Sequence, residues 1–572
     1  MRTKSVWLIG SAVLAVLVFQ ARFESSKAET QTSAALTGQV TSSEEGPMEG
    51  VLVNAKKTGS NVTVTVVTDE RGRYSFPSGK LEAGHYSLGV RAVGFDLDGA
   101  GAAEIAPQKT ATVDLKLRKA KDPTTQLTNA EWLMSIPGTD QQKGAMSNCT
   151  GCHTLQRVVK SAHDTDEFAQ VLARMSDYAP GASPLRPQKR VAIRAGDVNP
   201  ARFQRQATFL STINLSTTSK FEYPFKTLPR PKGRATRVVI TEYDLPRRVS
   251  QPHDVVLDPD GNAWYSDFGS LFVGKLDPKT GKVTEYPLPE LKPGFPHGEL
   301  DLEIDKQGNV WAGMMLQGAI AKFDRKTEKF QIFSLPKEIN SNIAQQAMVD
   351  PSGIGVDGKM WLNNVGLRGV HRLDVASGTF ETFEPYKDLP GAGVPVEVEG
   401  STAGMEGGGG HSVYGIAADS HNNLFFMDFS NTNIGKIDAK TGKVKLYPTP
   451  TPDSHPRRGH MDSQDRLWFA EFNTNRIAMF DTKTERFQEW RAPTPWFAPY
   501  DMIADRNGEL WTGGMLSDRI LRMDPKTGQS VEYLLPRNTN VRRVYVDNST
   551  TPVTFWVGSN HGASIVKLEP LD

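Results

Sequence analysis

The chain has 572 residues, which is long enough for several domains. A net charge of +1, with no strongly basic stretch, argues against a nucleic-acid-binding protein. The 51 glycines and 36 prolines indicate many turns and therefore much β structure, and 23% charged residues suit a soluble protein.

The N-terminus has the pattern of an export signal. Arg2 and Lys4 precede an apolar run at 6–19, and Ser26-Lys27-Ala28 forms a small-x-small cleavage site. This pattern predicts a secretory signal peptide over residues 1–28 and a periplasmic or otherwise extracytoplasmic protein. An uncleaved anchor is the alternative, although the run is shorter than the roughly 20 residues of a membrane helix. No membrane span is expected after cleavage.

Residues 35–118 alternate apolar and polar side chains over short runs, for example at 62–66 and 112–117. Such alternation between turn residues predicts a small β-sandwich. The stretches at 68–76 and 81–95 resemble the carboxypeptidase regulatory-like domain, a transthyretin-like sandwich grouped with carbohydrate-binding-like folds. The resemblance implies no catalytic residue. It leaves two roles open, a structural or docking module and a surface that binds a glycan or a partner.

The only two cysteines of the chain stand in Cys149-Thr150-Gly151-Cys152-His153. C-x-x-C-H is the attachment pattern of c-type haem, in which the thiols form thioethers and the histidine binds iron. A zinc site would need four ligands, and a thioredoxin-like pair would need a surrounding βαβ pattern. A plain disulfide is the remaining alternative. The motif predicts one covalent haem c on Cys149 and Cys152, with His153 as the proximal iron ligand.

The segment around this motif is predicted to be helical. Thr128-Asn129-Ala130-Glu131 reads as a capping box that opens a helix, and an amphipathic pattern at 201–215 indicates a terminal helix. Helix, C-x-x-C-H, helix and terminal helix is an order that resembles class I c-type cytochromes. The resemblance implies a small all-α haem domain over residues 128–218.

The second axial ligand of the iron has several candidates. Asp164 and Glu167 cap a helix that carries an apolar stripe ending at Met175. We expect Met175 to be the thioether ligand, with a buried core position as its structural alternative. His163 or an open site would serve instead. A Met/His pair favours electron transfer, whereas an open site would admit small ligands.

Residues 233–572 contain an internal repeat, in which a short aromatic strand recurs. Its aromatic positions are Trp264, Trp311, Trp361, Phe425, Trp468, Trp511 and Trp556. Six copies of an outer strand follow their own repeats, while the seventh, Thr241-Glu242-Tyr243, precedes the first. The repeat therefore predicts a seven-bladed β-propeller whose first strand completes the last blade.

The runs at 251–255, 260–268 and 467–472 make residues 233–572 similar to the streptogramin B lyase (virginiamycin B lyase) family. The resemblance implies a propeller fold, and for the lyase itself a histidine base and magnesium held by Glu and His on later blades. The inner-strand positions 11 residues before the aromatic hold His253, Tyr414, Arg457 and Tyr500, mostly not histidine. Glu471 alone is a poor magnesium site. No catalytic residue is predicted, and magnesium is not expected.

The propeller funnel is a candidate ligand site. Its predicted residues are His253, His297, His411, Tyr414, Arg457, Arg458, His460 and Tyr500. Tunnel lining and hydrogen bonds between blades are the structural alternative. A Gly-rich insertion at 389–410 precedes His411 and is predicted to lie on the funnel side, either as a functional loop or as a plain insertion.

These patterns together predict a mainly β, multidomain chain: a β-sandwich, a small all-α cytochrome c domain and a seven-bladed propeller. The expected function is one-electron transfer by an exported monohaem cytochrome, with the propeller as a platform for a redox partner protein or a substrate. One alternative is a periplasmic oxidoreductase or lyase with its active site in the funnel. Another is a haem sensor that attaches to a glycan or partner.

Overall fold

The computed structural model of this chain describes residues 34–191, 200–387 and 411–572. The predicted signal peptide at 1–28 and the Gly-rich insertion at 389–410 lie outside these residues. The described part is mainly β, as expected, with one helical stretch between the two β regions. Within the described ranges every helix is too short or too polar to traverse a lipid bilayer.

The N-terminal region is a sandwich of two sheets, one built around β1 and the other in the order β4-β3-β6-β8. The period-two pattern is clear in β5, where Tyr74 and Phe76 are buried while Arg73 and Ser75 are exposed. The strands are β1 (Ala34–Ser42), β2 (Gly46–Pro47), β3 (Leu52–Lys57), β4 (Val62–Val67), β5 (Arg73–Pro77), β6 (Gly84–Arg91), β7 (Phe95–Leu97), β8 (Gly101–Ile105), β9 (Ala111–Thr112) and β10 (Leu115–Lys119).

A helical segment follows the sandwich. Its helices are α1 (Asn129–Ser135), α2 (Asp140–Ala145), the 3-10 helix Met146–Gly151, α3 (Gln156–Val159), α4 (Thr165–Ser176) and α5 (Pro200–Ile213). One more short helix, α6 (Ile354–Asp357), lies in the propeller. The further 3-10 turns are Pro123–Thr125, Gly233–Thr236, Lys337–Ile339, Pro351–Gly353 and Val365–Leu367.

The capping boxes of this segment are confirmed. Thr128 accepts a hydrogen bond from the Glu131 amide at 3.1 Å, and the Glu131 carboxylate accepts one from the Thr128 amide at 2.8 Å. The same carboxylate also accepts from the Leu228 amide at 2.8 Å, so it fixes a distant chain segment against α1. Glu131 is almost completely buried, whereas the equivalent box of α2, with Thr139 and Gln142, is exposed.

The expectation of a uniformly buried stripe on α4 is wrong at its C-terminal end. Phe168 is buried and Val171 and Leu172 are half-buried, but Met175 is 37% exposed. The helix packs against α5, and its exposure rises toward the last turn, where Ala173, Arg174 and Met175 are exposed. Met175 is therefore not a core residue of the protein chain.

The C-terminal region consists of propeller-like sheets of four antiparallel strands. Blade one comprises β12 (Pro252–Leu257), β13 (Ala263–Asp267), β14 (Phe272–Leu276) and β15 (Val283–Pro287), and blade two comprises β16 (Leu302–Ile304), β17 (Val310–Gly313), β18 (Ala319–Asp324) and β19 (Lys329–Ser334). Blade three comprises β20 (Val349–Asp350), β21 (Lys359–Asn364), β22 (Gly369–Asp374) and β23 (Phe380–Phe383), and blade four comprises β24 (Val413–Ala418), β25 (Leu424–Asp428), β26 (Asn433–Ile437) and β27 (Val444–Pro448).

The later blades repeat the same arrangement. Blade five comprises β28 (Pro456–Met461), β29 (Arg466–Glu471), β30 (Arg476–Asp481) and β31 (Arg486–Arg491), and blade six comprises β32 (Pro499–Ala504), β33 (Leu510–Gly514), β34 (Arg519–Met523) and β35 (Ser530–Leu534). Blade seven comprises β36 (Val544–Asp547), β37 (Thr554–Ser559), β38 (Ser564–Pro570) and the early strand β11 (Val238–Asp244).

The predicted closure is confirmed, because β11 pairs antiparallel with β38 and places Tyr243 opposite Ile565. The other edge of β11 does not face solvent. It pairs with β4 of the sandwich, so blade seven and one sandwich sheet form a single sheet of eight strands. Arg91 of the sandwich reinforces this junction with an ion pair to Asp518 at 2.8 Å. The sandwich is thus joined to the propeller and covers an otherwise open strand edge.

The recurring tryptophan has a local structural reason. In blade one the Asp258 carboxylate accepts hydrogen bonds from the Asn262 amide at 2.9 Å and from the Trp264 indole at 2.8 Å. One aspartate thereby closes the turn and orients the aromatic ring of the following strand. The same bond joins Asp305 to Trp311, Asp462 to Trp468 and Asp505 to Trp511.

The two capping boxes make a matched test of the Glu131 contact. Glu131→Ala leaves buried donors of Thr128 and Leu228 without their acceptor, and we expect it to reduce the free energy of unfolding by about 3 kcal/mol. Gln142→Ala removes an exposed cap, and the expected loss is about 1 kcal/mol. Thermal unfolding of the two variants, followed by circular dichroism, measures the difference. Equal losses would contradict the role assigned to Glu131.

Candidate functional site

The helical segment lies on the end of the propeller at which the inner strands begin. A single apolar cluster combines its residues with those of the blades. From the helices come Trp132, Leu133, Met146, Leu155 and Leu210, and from the propeller Phe268, Leu300, Tyr414, Tyr500 and Met515. Cys149 packs against the same cluster. The C-x-x-C-H turn is therefore placed at the mouth of the propeller channel.

The two thiols of the motif are presented by the 3-10 helix Met146–Gly151 and its C-terminal cap. A 3-10 helix has three residues per turn, so Cys149 and Cys152 lie on the same side. Both cysteines are half-buried. Burial, with a smaller contribution from Cys152, raises the pKa of the Cys149 thiol to about 11. Two adjacent reduced thiols on one side of a turn are the donor set that thioether attachment needs.

His153 is oriented for metal binding through Nε2. Its Nδ1 lies 3.0 Å from the Thr154 carbonyl oxygen, to which it donates a hydrogen bond. This bond fixes the tautomer that leaves the Nε2 lone pair for a ligand. Burial lowers the pKa of His153, so the ring is neutral at pH 7. The residues present fit a covalently attached haem on their chemistry.

The propeller holds the backbone of this turn. Asn540 donates to the Thr150 carbonyl oxygen at 3.1 Å, and Arg542 donates to the Gly151 carbonyl oxygen at 2.9 Å. His561 lies beside the same two carbonyls, and burial, followed by the charge of Arg542, lowers its pKa to about 3. Asn540 and His561 were not among the predicted site residues, because nothing in their residue types marks a contact 390 positions away.

Four of the predicted funnel residues are brought together directly below the helical segment. His253 Nε2 lies 3.1 Å from the Tyr500 hydroxyl, which is also hydrogen-bonded to the Tyr414 hydroxyl. The Arg457 guanidinium lies 3.9 Å from the centroid of the Tyr500 ring and 5.5 Å from that of Tyr414. All four side chains are buried. They contact one another instead of facing an open funnel.

Deeper in the channel, Arg458 belongs to a buried network of charges. It donates to both Asp254 carboxylate oxygens at 2.9 Å and to Asp301 at 2.5 Å. Arg543 lies 3.0 Å from Asp301 and 2.6 Å from Glu303. Burial alone would raise the pKa of Asp254, but Arg458 and His253 hold it well below its usual value. These ion pairs cross the channel between blades and occupy its polar groups.

The remaining predicted funnel histidines are separate from that group. His460 lies 3.0 Å from Asp501, and His411 lies 2.6 Å from Asp428 and stacks on Tyr386 with 4.4 Å between ring centroids. His297 lies 3.0 Å from Arg186 in the segment that follows α4. The predicted funnel set is thus divided into a central cluster and three isolated histidines with partners of their own.

The contacts of Met175 and His163 do not identify which of them is the second axial ligand. Met175 stands exposed at the end of α4. His163 lies 3.6 Å from Glu167 and packs edge-on against Phe168. The assignment of Met175, with His163 or an open site as alternatives, stays a prediction.

Glu471, on blade five, has a strongly raised pKa. Burial, followed by repulsion from Glu489, raises its pKa to about 8, and Thr474 donates to it at 3.2 Å. Among the described residues, no group of three or more His, Cys, Asp or Glu side chains is arranged to hold a metal ion.

Two family matches agree with this architecture. Residues 35–118 match the carboxypeptidase regulatory-like domain, and residues 406–570 match the virginiamycin B lyase family. No curated protein matches the chain.

Solved structures resemble the propeller at low identity. Virginiamycin B lyase from Staphylococcus aureus is 21% identical with a TM-score of 0.46, and it covers 58% of this chain and 99% of its own. A streptogramin B lyase is 23% identical with a TM-score of 0.47, covering 59% and 99%. The extracellular domain of a proposed one-component system from B. thetaiotaomicron is 16% identical with a TM-score of 0.41, covering 56% and 40%. The chain carries a carboxypeptidase regulatory-like domain and a virginiamycin B lyase-like β-propeller.

Proposed function

We propose that this protein is an exported one-electron-transfer protein that carries a single haem c on Cys149, Cys152 and His153. The propeller is its platform for a redox partner or substrate. The observation that carries the proposal is the C-x-x-C-H turn itself, with two cysteines on one side and a neutral histidine whose Nδ1 is already occupied. When bound, haem supplies reversible one-electron chemistry at iron.

The placement of the turn supports a joint role for the helical segment and the propeller. Asn540 and Arg542 donate to the backbone of the two residues between the cysteines. A turn whose two successive carbonyls are hydrogen-bonded has little conformational freedom. Because its surroundings are fixed, the reorganisation energy of electron transfer is small. The Arg542 guanidinium also places a positive charge beside the attachment site.

The interior of the channel supports a platform better than a catalytic pocket. Among the described residues, Tyr414, Arg457 and Tyr500 are buried, and both tyrosines belong to the apolar cluster shared with the helical segment, so these side chains are not exposed to an external substrate. A partner would instead bind on the exposed surface near the haem edge. Export through the predicted signal at residues 1–28 agrees with haem attachment outside the cytoplasm.

A lyase or oxidoreductase centred on the propeller is the second candidate. The match of residues 406–570 to the virginiamycin B lyase family favours it, as does the buried Glu471 with its pKa near 8. Turnover of a macrocyclic lactone by the purified protein with added magnesium would establish this second function and displace electron transfer as the main one.

Covalent attachment is tested by replacing the thiols. The wild-type chain, exported with a c-type maturation system, is expected to keep its haem after extraction with acidified acetone. Cys149→Ser combined with Cys152→Ser removes both thioethers and should release the haem completely, as measured by the pyridine haemochrome spectrum. A wild-type protein that matures without covalent haem would contradict the proposal.

The predicted axial ligand is tested by a pair of variants. Met175→Ala should abolish the weak red absorption band of methionine-ligated ferric haem and lower the reduction potential, because a thioether stabilises ferrous iron. His163→Ala, the matched control, should leave both unchanged. Rapid carbon monoxide binding by the untouched ferrous protein would instead show an open site and favour a sensor.

The contact between the propeller and the turn is tested through the potential. Arg542→Met removes a buried positive charge near the haem. The loss of this charge stabilises the ferric state relative to the ferrous state. We expect the midpoint potential to fall by tens of millivolts, on the order expected for a charge within the protein. Arg537→Met, a half-exposed arginine of the same blade connection, is the control and should change it little. Equal midpoint potentials in the two variants would contradict an electrostatic effect of Arg542 on the haem.

A further inference from the structure

A row of hydrogen bonds runs through the central cluster of the channel. The Tyr414 hydroxyl contacts the Tyr500 hydroxyl, which lies 3.1 Å from His253 Nε2. His253 Nδ1 in turn lies 2.6 Å from the Asp254 carboxylate. Each of these side chains is at most 1% exposed, so the row is closed to solvent.

The donor and acceptor of each hydrogen bond in this row follow from the charge of Asp254. Asp254 is ionised beside Arg458, so His253 must donate its Nδ1 proton to it. Nε2 then carries the lone pair and accepts the hydroxyl proton of Tyr500. The Tyr500 oxygen is left to accept from Tyr414. Burial lowers the pKa of His253 to about 4, so the ring is neutral and its Nε2 is an acceptor for the Tyr500 proton.

We propose that Tyr500 is a redox-active tyrosine, oxidised to a neutral phenoxyl radical with transfer of its hydroxyl proton to Nε2 of His253. One electron leaves the ring for an oxidant, the O–H bond breaks, and an N–H bond forms on the imidazole. One electron from the redox partner protein, together with the same proton from His253, restores the starting state. The inference concerns the propeller itself and extends beyond the proposed haem function.

The positive charges near the Tyr500 ring require that the proton transfer accompanies the loss of the electron. The Arg457 guanidinium lies 3.9 Å from the Tyr500 ring centroid and that of Arg542 lies 6.0 Å from it. Two cations above the ring oppose any cationic radical, so the electron leaves only if the phenolic proton leaves with it. The proton is accepted at hydrogen-bond distance, and the Asp254 carboxylate stabilises the imidazolium that forms.

The position of Tyr500 near the C-x-x-C-H turn suits electron transfer between the two. Arg542 contacts both Tyr500 and the Gly151 carbonyl, and Cys149 packs on the apolar cluster that contains Tyr500. A tyrosine here can pass an electron to a haem oxidised by hydrogen peroxide, the class of oxidant strong enough for a phenol. The buried row keeps the proton nearby for the return step and excludes water from the radical.

Photochemical oxidation tests the tyrosine whether or not haem is attached. The full chain is flashed with a ruthenium tris-bipyridine sensitiser and persulfate, frozen, and examined by electron paramagnetic resonance. We expect a tyrosyl signal in the wild type whose hyperfine pattern changes in deuterium oxide, because the imidazolium N–H···O bond exchanges. Tyr500→Phe should lose this signal. Tyr265→Phe, a buried tyrosine bonded to Glu285 at 2.8 Å, should keep it.

His253→Gln separates redox activity from a structural hydrogen bond. It keeps a polar side chain in place but removes the base, so we expect at least a tenfold loss of radical yield in a folded protein. A deuterium-sensitive signal that persists in Tyr500→Phe would overturn the proposal. So would a wild type without any such signal, a measurement that needs no variant to fold. Either result leaves the haem assignment standing, because the sensitiser supplies the oxidant.

Discussion

The structure depends on one contact, the docking of the C-x-x-C-H turn onto the propeller. The carbonyls of Thr150 and Gly151 are turned away from solvent and would be costly to bury without donors. Asn540 and Arg542 supply those donors from the last blade. The apolar residues around them form one cluster between the helices and the channel mouth. The helical segment is therefore a lid fixed on the propeller and not a domain tethered beside it.

That lid changes what the channel residues can do. Uncovered, a funnel with His253, Tyr414, Arg457 and Tyr500 would suit a polar ligand. Beneath the helical segment, the same side chains interact with one another. Arg457 packs against the aromatic rings, and His253 is hydrogen-bonded between Tyr500 and Asp254. Below them, Arg458 and Arg543 neutralise Asp254 and Asp301 in a buried network. The chemistry that we propose for this buried interior is the movement of electrons and protons that are already inside it.

Much of the architecture could be predicted from the sequence because it rests on local rules. The aspartate that closes a turn also binds the tryptophan indole, so the repeat is visible as spaced aromatic residues. The capping box at Thr128 needs only four consecutive residues. The closing strand was visible because one outer strand stands ahead of its blade. The C-x-x-C-H turn is likewise a contiguous motif.

The remaining features arise from tertiary contacts that leave no local pattern. Nothing in β4 or β11 indicates that these two edges meet, yet they join the sandwich to blade seven. Asn540 lies in the connection before β36, and its residue type gives no sign of the turn that it binds. Arg457 has the residue type of a ligand-binding group, and nothing in the local sequence indicates the four rings that surround it. The helical period predicts an apolar stripe that ends at Met175, whereas that side chain is 37% exposed in the structure.

The most direct test of the central claim is peptide mapping of the mature, exported protein by tandem mass spectrometry. The proposed function predicts a single proteolytic peptide, spanning Cys149 to His153, that carries the mass of one haem and absorbs in the Soret region. A peptide with two free thiols or a disulfide between them, from protein made with a working c-type maturation system, would contradict it.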